Sequence, residues 1–352
     1  MHKKDIEKFI KGQGWSTFGI VDFLKIKENL KKHEKIFEKW VKKGFEADMD
    51  YLKNMQEDRF NPESKLSDVK SAIVLTANYS NSLKCESQEG KIARYAHGKD
   101  YHKVLKKKLI ELSNSLKSRI ENPESKIETY VSVDSGPTVD RVLAEAAGIG
   151  FFGKNSCIID PSRGSFFFIA SVFTNIELQS TIKKQMPSCG DCQKCKKNCP
   201  TGALVEPGVI DARKCISYLT IENKEGIPKE LRSKIGNRLF GCDACQEVCP
   251  FNITRAKSQE VTIEKLKSNY GAGGSLGLKE ILSIRNDEEF LGKFAGTPLM
   301  RAKRRGLIRN ACVVAGNSSG KSLIPILEEL ISREKDDMLI DHATWAMEKL
   351  SK

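Results

Sequence analysis

The 352-residue sequence has no uninterrupted apolar stretch of the ~18 residues that a membrane-spanning helix requires. Its opening, Met1-His2-Lys3-Lys4, is charged where a secretory signal would begin building an apolar core, so the expectation is a soluble, cytoplasmic chain. Acid is also in deficit. There are 46 Asp+Glu against 59 Lys+Arg, a formal net charge of +13, which favours polyanionic partners and makes nucleic acid a candidate. Charge alone does not separate that reading from a merely basic surface. The length suits two or three domains, each with its own core.

Cysteine is what the chain has in excess. Intracellular thiols stay reduced, so eleven of them call for metal or cluster ligation, not a disulfide framework. Eight fall between Cys189 and Cys249, leaving Cys85, Cys157 and Cys312 as ordinary buried thiols.

Before that region, helical and extended patterns alternate. Ile6, Phe9 and Ile10 stand at helical spacing, Gly12 and Gly14 end that helix, and an extended stretch over 15–21 leads to a long charged helix reaching Gly44. Ala72-Ile73-Val74-Leu75 reads as a strand buried on both faces. Val104, Leu105, Leu109, Leu112 and Leu116 mark a helix over 100–120, and Ile127, Thr129, Val131 and Val133 alternate as a strand ending at Asp134. Ser135-Gly136-Pro137 and a helix over 138–147 follow, placing Asp134 at the strand-to-helix junction where α/β sheets bind ligands. A hairpin of 156–160 with 165–173, turned by Pro161-Ser162-Arg163-Gly164, completes a mixed sheet.

Gly148-Ile149-Gly150-Phe151-Phe152-Gly153-Lys154-Asn155 matches G-x-G-x-x-G and nearly matches a P-loop. Those motifs must follow a strand and open a helix, whereas these glycines follow a helix, and Asn155 stands where Ser or Thr would bind magnesium. The segment reads as a glycine-rich helix exit whose backbone amides can face a ligand.

Cys189-x2-Cys192-x2-Cys195-x3-Cys199-Pro200 is the bacterial ferredoxin run, whose fourth cysteine ligates the other cluster. Cys242-x2-Cys245-x3-Cys249-Pro250 is a second run one ligand short, and Cys215 is the nearby cysteine that completes it. The crossing rule then groups Cys189, Cys192, Cys195 and Cys249 on one 4Fe-4S cluster, and Cys199, Cys215, Cys242 and Cys245 on the other. Zinc also takes four thiolates but does not call for the paired x2-x2-x3-Pro pattern.

These residues resemble the epoxyqueuosine reductases, cobalamin-dependent iron–sulfur enzymes that complete queuosine in tRNA. The resemblance runs over nearly the whole chain. It is carried by Ile92-Ala93-Arg94-Tyr95-Ala96 with Asp100-Tyr101-His102, Val133-Asp134-Ser135-Gly136-Pro137, Gly153-Lys154-Asn155, Cys199-Pro200-Thr201-Gly202-Ala203, Cys215-Ile216-Ser217-Tyr218-Leu219-Thr220-Ile221-Glu222 and Gly241-Cys242-Asp243-Ala244-Cys245-Gln246. It implies an α+β multidomain protein: a mixed-sheet α/β cobalamin-binding domain over 1–180, a ferredoxin-like two-cluster domain over 181–265 and a HEAT-like helical region over 266–352. Apolar stripes at Leu323, Leu327, Leu330 and Ile331, then at Ala343, Met347 and Leu350, agree with the last.

The resemblance also implies Asp134 as proton donor, with burial keeping its carboxyl protonated near neutral pH. Without it, Asp134 would read as a cap or turn residue. No D-x-H-x-x-G motif is present, so cobalamin would lack a protein histidine on cobalt. Its contacts are expected at Arg59, Arg94, His97, Asp134, Lys154 and Ser165. For the tRNA anticodon stem-loop, Arg301, Lys303, Arg304, Arg305 and Arg309 are expected to meet phosphates, the alternative being a solvated helix face. Tyr218 and Phe240 are either base-stacking aromatics or core. A low-potential electron donor and a monomeric state complete the expectation. The competing readings are a reductive dehalogenase, argued against by the absence of a twin-arginine signal, an electron-transfer subunit and a zinc-dependent RNA binder.

Overall fold

The structure, a computed structural model, describes residues 3–79, 85–119, 126–181, 186–254 and 260–352. Helix α1 (Lys3–Gly12) leads through β1 (Thr17–Asp22) into α2 (Phe23–Lys42), whose first turn is capped by the Asp22 carboxylate accepting from the Leu24 N–H. Two short helices, α3 (Asp50–Asn54) and α4 (Gln56–Phe60), precede β2 (Ser71–Asn78) and β3 (Glu89–Ile92). Then come α5 (Tyr101–Arg119), β4 (Thr129–Val133), α6 (Asp140–Ala146), β5 (Phe151–Phe152), β6 (Ile158–Ile159) and β7 (Phe167–Thr174).

Every residue of β2 is buried, because the strand divides two cores. Ile73, Leu75 and Ala77 face Leu105, Leu109, Leu112 and Leu116 of α5, while Ala72 and Val74 face Phe23, Ile26 and Leu30 of α2 and Val142 and Leu143 of α6. Successive strand residues point to opposite faces, so the continuous apolar run is what a strand sandwiched between helices requires. Full burial of each α5 leucine stabilises the layer by about 1.5–3 kcal/mol.

The main sheet has the order β1-β2-β7-β4 and is antiparallel at every pair, so the mixed sheet expected for this region is corrected. The α5 crossover does set β2 and β4 parallel to one another, but β7 returns between them and turns both neighbouring pairs antiparallel. The expected hairpin is corrected too. Residues 156–173 share only an Asp160–Gly164 bridge, and β6 pairs back onto β5. Asp160 explains the divergence: its carboxylate accepts from the Ser162 N–H (2.7 Å), the Ser162 hydroxyl (2.6 Å) and Arg163 Nη1 (3.2 Å), closing a tight loop instead of a ladder.

The remainder comprises α7 (Lys194–Lys197), the β8 (Leu204–Glu206) and β9 (Val209–Ile210) hairpin, α8 (Ile216–Ile221), α9 (Lys229–Ile235), β10 (Arg238–Phe240), α10 (Ala244–Glu247) and α11 (Pro250–Thr254). After β11 (Ser275–Gly277) come α12 (Leu278–Leu282), α13 (Asp287–Phe294), α14 (Lys303–Asn317), α15 (Ile324–Arg333) and α16 (Asp337–Leu350). The genuinely mixed sheet is the three-stranded β10-β3-β11, which joins β3 from the first third of the chain to two strands from the last third. Its Ile92, Leu239 and Phe240 share a core with Leu307, Ala311, Leu327, Leu330 and Ala343 of the last three helices. The cysteine-rich segment packs on one side against Phe151 and Ile159 of β5 and β6 and on the other against Val313 of α14.

Candidate active site

The clustered thiols gather in two neighbourhoods. A cavity is lined by Cys189, Cys192, Cys195 and Cys249, together with Lys154, Asn155, Ile159 and Phe251. Within this set Cys195 feels the charges of Cys189, Cys192 and Cys249. In the other set Cys215 feels Cys199, Cys242 feels Cys215, and Cys245 feels both Cys242 and Cys215. Burial pushes the Cys242 thiol up to about 11 and Cys245 well above its ordinary value. Cys199 goes the other way, because the Thr201 hydroxyl and the amides of Leu204, Thr201 and Ala203 outweigh burial. Buried thiols of this kind ionise when a metal supplies the positive charge. Among the described residues no three His, Cys, Asp or Glu side chains converge on a single-ion site. Cys157 lies between the sets, close enough to feel Cys195 and Cys249 and to be felt by Cys245, which its isolated position in sequence did not reveal.

The second focus is Asp134. It closes β4 in a left-handed turn (φ 52°), its N–H donating to Asp140 Oδ2 at 3.1 Å, and Asp140 Oδ1 accepts from the Thr138 hydroxyl at 2.8 Å. A non-glycine residue held at positive φ stores strain of order 1–3 kcal/mol, a feature that gathers at functional sites. The Asp134 side chain is 64 % exposed. The Tyr101 hydroxyl donates to Oδ2, and His102 Nε2 lies 3.4 Å from the same oxygen. His102 Nδ1 faces Asp100 Oδ1 at 3.0 Å.

These contacts work against the protonated form expected of Asp134. Burial does raise its pKa, but hydrogen bonds from His102 and Tyr101 outweigh burial and hold it below the usual carboxylate value. His102 is shifted the opposite way. Burial disfavours the imidazolium, but hydrogen bonds to Asp100 and Asp134 outweigh it and raise the pKa to about 9. Asp140, behind Asp134, is pushed up to about 6 by burial and by the Asp134 charge. Tyr51, Tyr95 and Arg301 each feel Asp134, and the Arg301 guanidinium lies 5.9 Å from the Tyr51 ring centre. Sequence reasoning quoted Tyr101 and His102 as a motif without a role. The signal for one was an acid two residues before the histidine, but Asp134 lies 32 residues on and only the fold joins them.

The expected cobalamin contacts scatter. Arg59 borders the Asp134 site, donating from Nη1 to the Thr138 carbonyl at 3.4 Å, and its buried Nε has no acceptor among the described residues. An orphaned donor beside Asp134 fits an acceptor-rich ligand such as a corrin bearing amides. Both His102 nitrogens face carboxylates. Arg94 stacks on Phe166 at 4.1 Å with its N–H on Asp243, one step away from that site. His97, Lys154 and Ser165 are placed elsewhere. His97 is 1 % exposed with Nε2 on the Ile92 carbonyl, Ser165 is buried against Gln246 and Asn252, and Lys154 lines the thiol cavity.

The basic cluster divides likewise. Arg309 is corrected from phosphate contact to structural core: it is 1 % exposed and donates to the carbonyls of Leu219, Asn223 and Glu225. Arg304 is tied to Glu334 and Arg305 to Asp336, while Arg301 is 58 % exposed and forks onto Glu222. Lys303 is exposed and has no ion pair among the described residues. Tyr218 and Phe240 are core, the Tyr218 hydroxyl donating to Asp48 at 2.7 Å.

Two sets of four thiols set beside an acid–base site define a two-cluster iron–sulfur protein. Residues 188–252 match a 4Fe-4S double cluster binding domain, and residues 59–135 match the family described as Epoxyqueuosine reductase QueG, DUF1730. The chain belongs to the epoxyqueuosine reductase family. It is 37 % identical to the epoxyqueuosine reductase of Francisella cf. novicida over 91 % of this chain and 90 % of that one, and 33 % identical to that of Escherichia coli over 95 % and 86 %. A Bacillus subtilis structure, described with its aspartate catalytic loop swung out of the active site, superposes with a TM-score of 0.82 at 32 % identity, covering 99 % of this chain and 90 % of that one. An epoxyqueuosine reductase solved with an epoxyqueuosine-modified tRNA-Tyr stem loop superposes at 0.78, with 29 % identity and 99 % of each chain covered. Among the described residues no helix is long and apolar enough to cross a membrane.

Proposed function

We propose that this chain reduces epoxyqueuosine to queuosine at the wobble position of tRNA, the last step of queuosine biosynthesis. The observation that carries the reading is the exposed Asp134 carboxylate, with Tyr101 and His102 on one of its oxygens, in a chain that also carries a 4Fe-4S double cluster binding segment. Removing an epoxide oxygen to leave an alkene and water consumes two electrons and two protons. The thiol sets supply an electron path as two 4Fe-4S clusters, and cobalamin, when bound beside Arg59, supplies a low-valent metal centre to deliver electrons to the epoxide.

The protein's own residues manage the protons. Asp134 faces the departing oxygen, and His102, charged at neutral pH, hands its proton on through Asp134 as negative charge develops there. Asp100 holds the imidazole ring in line for that transfer, and the Tyr101 hydroxyl fixes the carboxylate. In this reading Arg301 and Lys303, both exposed, meet the phosphates of an anticodon stem-loop. In this reading residues 1–180 form the cobalamin-binding catalytic unit, 181–265 the ferredoxin-like unit and 266–352 a HEAT-like helical tRNA-binding region. The chain works in the cytoplasm as a monomer with a low-potential donor.

The test is an anaerobic assay of reconstituted protein with cobalamin, a strong reductant and epoxyqueuosine-containing tRNA, digested nucleosides being read by mass spectrometry. Loss of one oxygen mass that depends on cobalamin establishes the reaction. No conversion with both clusters and cobalamin bound overturns it.

A further inference from the structure

We infer that Asn155 donates a hydrogen bond to the sulfur of the cluster held by Cys189, Cys192, Cys195 and Cys249, and so raises that cluster's reduction potential; the inference rests on the iron–sulfur reading of those thiols. Asn155 is 2 % exposed and lines the cavity that the four cysteines enclose. Its Oδ1 accepts the Cys157 N–H at 3.2 Å. That bond fixes which way the carboxamide points, since the reversed amide would set two donors face to face. Nδ2 is then left buried with no acceptor among the described residues. An unmade hydrogen bond on a buried amide is costly, and such a donor in a folded protein points to a missing partner. A 4Fe-4S cluster filling this cavity brings sulfide and thiolate acceptors to that place.

Two further observations agree. The backbone N–H of the preceding residue, Lys154, already points at Cys189 Sγ, 3.4 Å away. Gly153 has no side chain where one would collide with the carboxamide: a Cβ there would stand 2.5 Å from Asn155 Oδ1 and 2.5 Å from Ile159 Cδ1. The Gly-Lys-Asn segment thus presents one main-chain and one side-chain donor to the same cluster. N–H donors stabilise the reduced cluster, which carries one more negative charge, so they raise its potential.

The test is a redox titration of the full, reconstituted chain, poised with dithionite and followed by visible absorption and electron paramagnetic resonance, comparing wild type with the uncharged variants Asn155→Leu and Asn155→Ala. In both variants one of the two clusters should become harder to reduce, about tenfold less reduced at a fixed ambient potential, equivalent to 59 mV for a one-electron couple. The other cluster should keep its potential, and iron should stay at about eight atoms per chain. Wild-type potentials for both clusters in both variants, with iron intact, overturn the inference. A wild type that binds no cluster overturns the iron–sulfur reading itself, and the inference with it. If the leucine variant fails to fold, the alanine variant carries the comparison, because it removes the donor without adding a charge that would itself shift the potential.

Discussion

His102 Nε2 lies 3.4 Å from Asp134 Oδ2 while its other nitrogen lies 3.0 Å from Asp100, so one imidazole bridges two carboxylates. Its pKa, raised to about 9, lies above that of a free histidine. The proton is therefore held throughout the physiological range and lost as pH rises through about 9. The stabilising contribution follows the same sign: complete below the unfolded pKa near 6.5 and lost as pH climbs through the folded one. Single-turnover reduction should fall about tenfold per pH unit above 9 in wild type. His102→Gln should be about 10²–10⁴-fold slower and lack that limb. A variant keeping both the rate and the alkaline limb would remove His102 from the proton path.

Asp134→Asn keeps the size of the side chain but cannot relay a proton. We expect turnover to fall by about 10²–10⁴-fold with tRNA affinity nearly unchanged, read as kcat against KM. Retained turnover would keep the reaction and discard Asp134 as its acid.

The partition of the thiols can be checked one ligand at a time. Cys249 is close in sequence to Cys242 and Cys245, yet it lines the cavity of Cys189, Cys192 and Cys195. Cys249→Ala should therefore perturb the same electron paramagnetic resonance signal as Cys192→Ala and leave the signal lost in Cys215→Ala intact. Co-loss with Cys215→Ala would reverse the assignment.

Much of this architecture is readable before folding, and the exceptions share a cause. Ala72–Leu75 advertises a strand between two apolar layers, and Ile73 and Val74 do face different cores. The cysteine spacing likewise announces the crossed sets, because ligand chemistry is local. What the sequence hides is return contacts. Nothing in residues 167–174 says that they will slot between β2 and β4, and that insertion is what makes the main sheet antiparallel. The same blindness hid the His102–Asp134 pair. Arg309 shows a different limit: a guanidinium in a basic run looks solvated, and only the packing of α14 against α8 shows it capping carbonyls in the interior.

Arg309 and Arg301 provide a paired test of the basic cluster. Arg309→Ala leaves the carbonyls of Leu219, Asn223 and Glu225 without a donor inside the protein, a loss expected to exceed about 3 kcal/mol and to lower Tm by several degrees. Arg301 is more than half exposed, and its pairing with Glu222 at the surface is worth about 0–1 kcal/mol, so Arg301→Ala should leave Tm nearly unchanged. Its cost should appear in RNA binding, as weaker affinity for the stem-loop and a salt dependence shallower by about one unit in the log–log slope. Lys303→Ala should behave in the same way. Measuring Tm and stem-loop affinity at several salt concentrations for the three variants separates the roles. Arg309→Ala weakening RNA without loss of stability would return that residue to the interface, and Arg301→Ala with an unaltered salt slope would take Arg301 out of phosphate recognition.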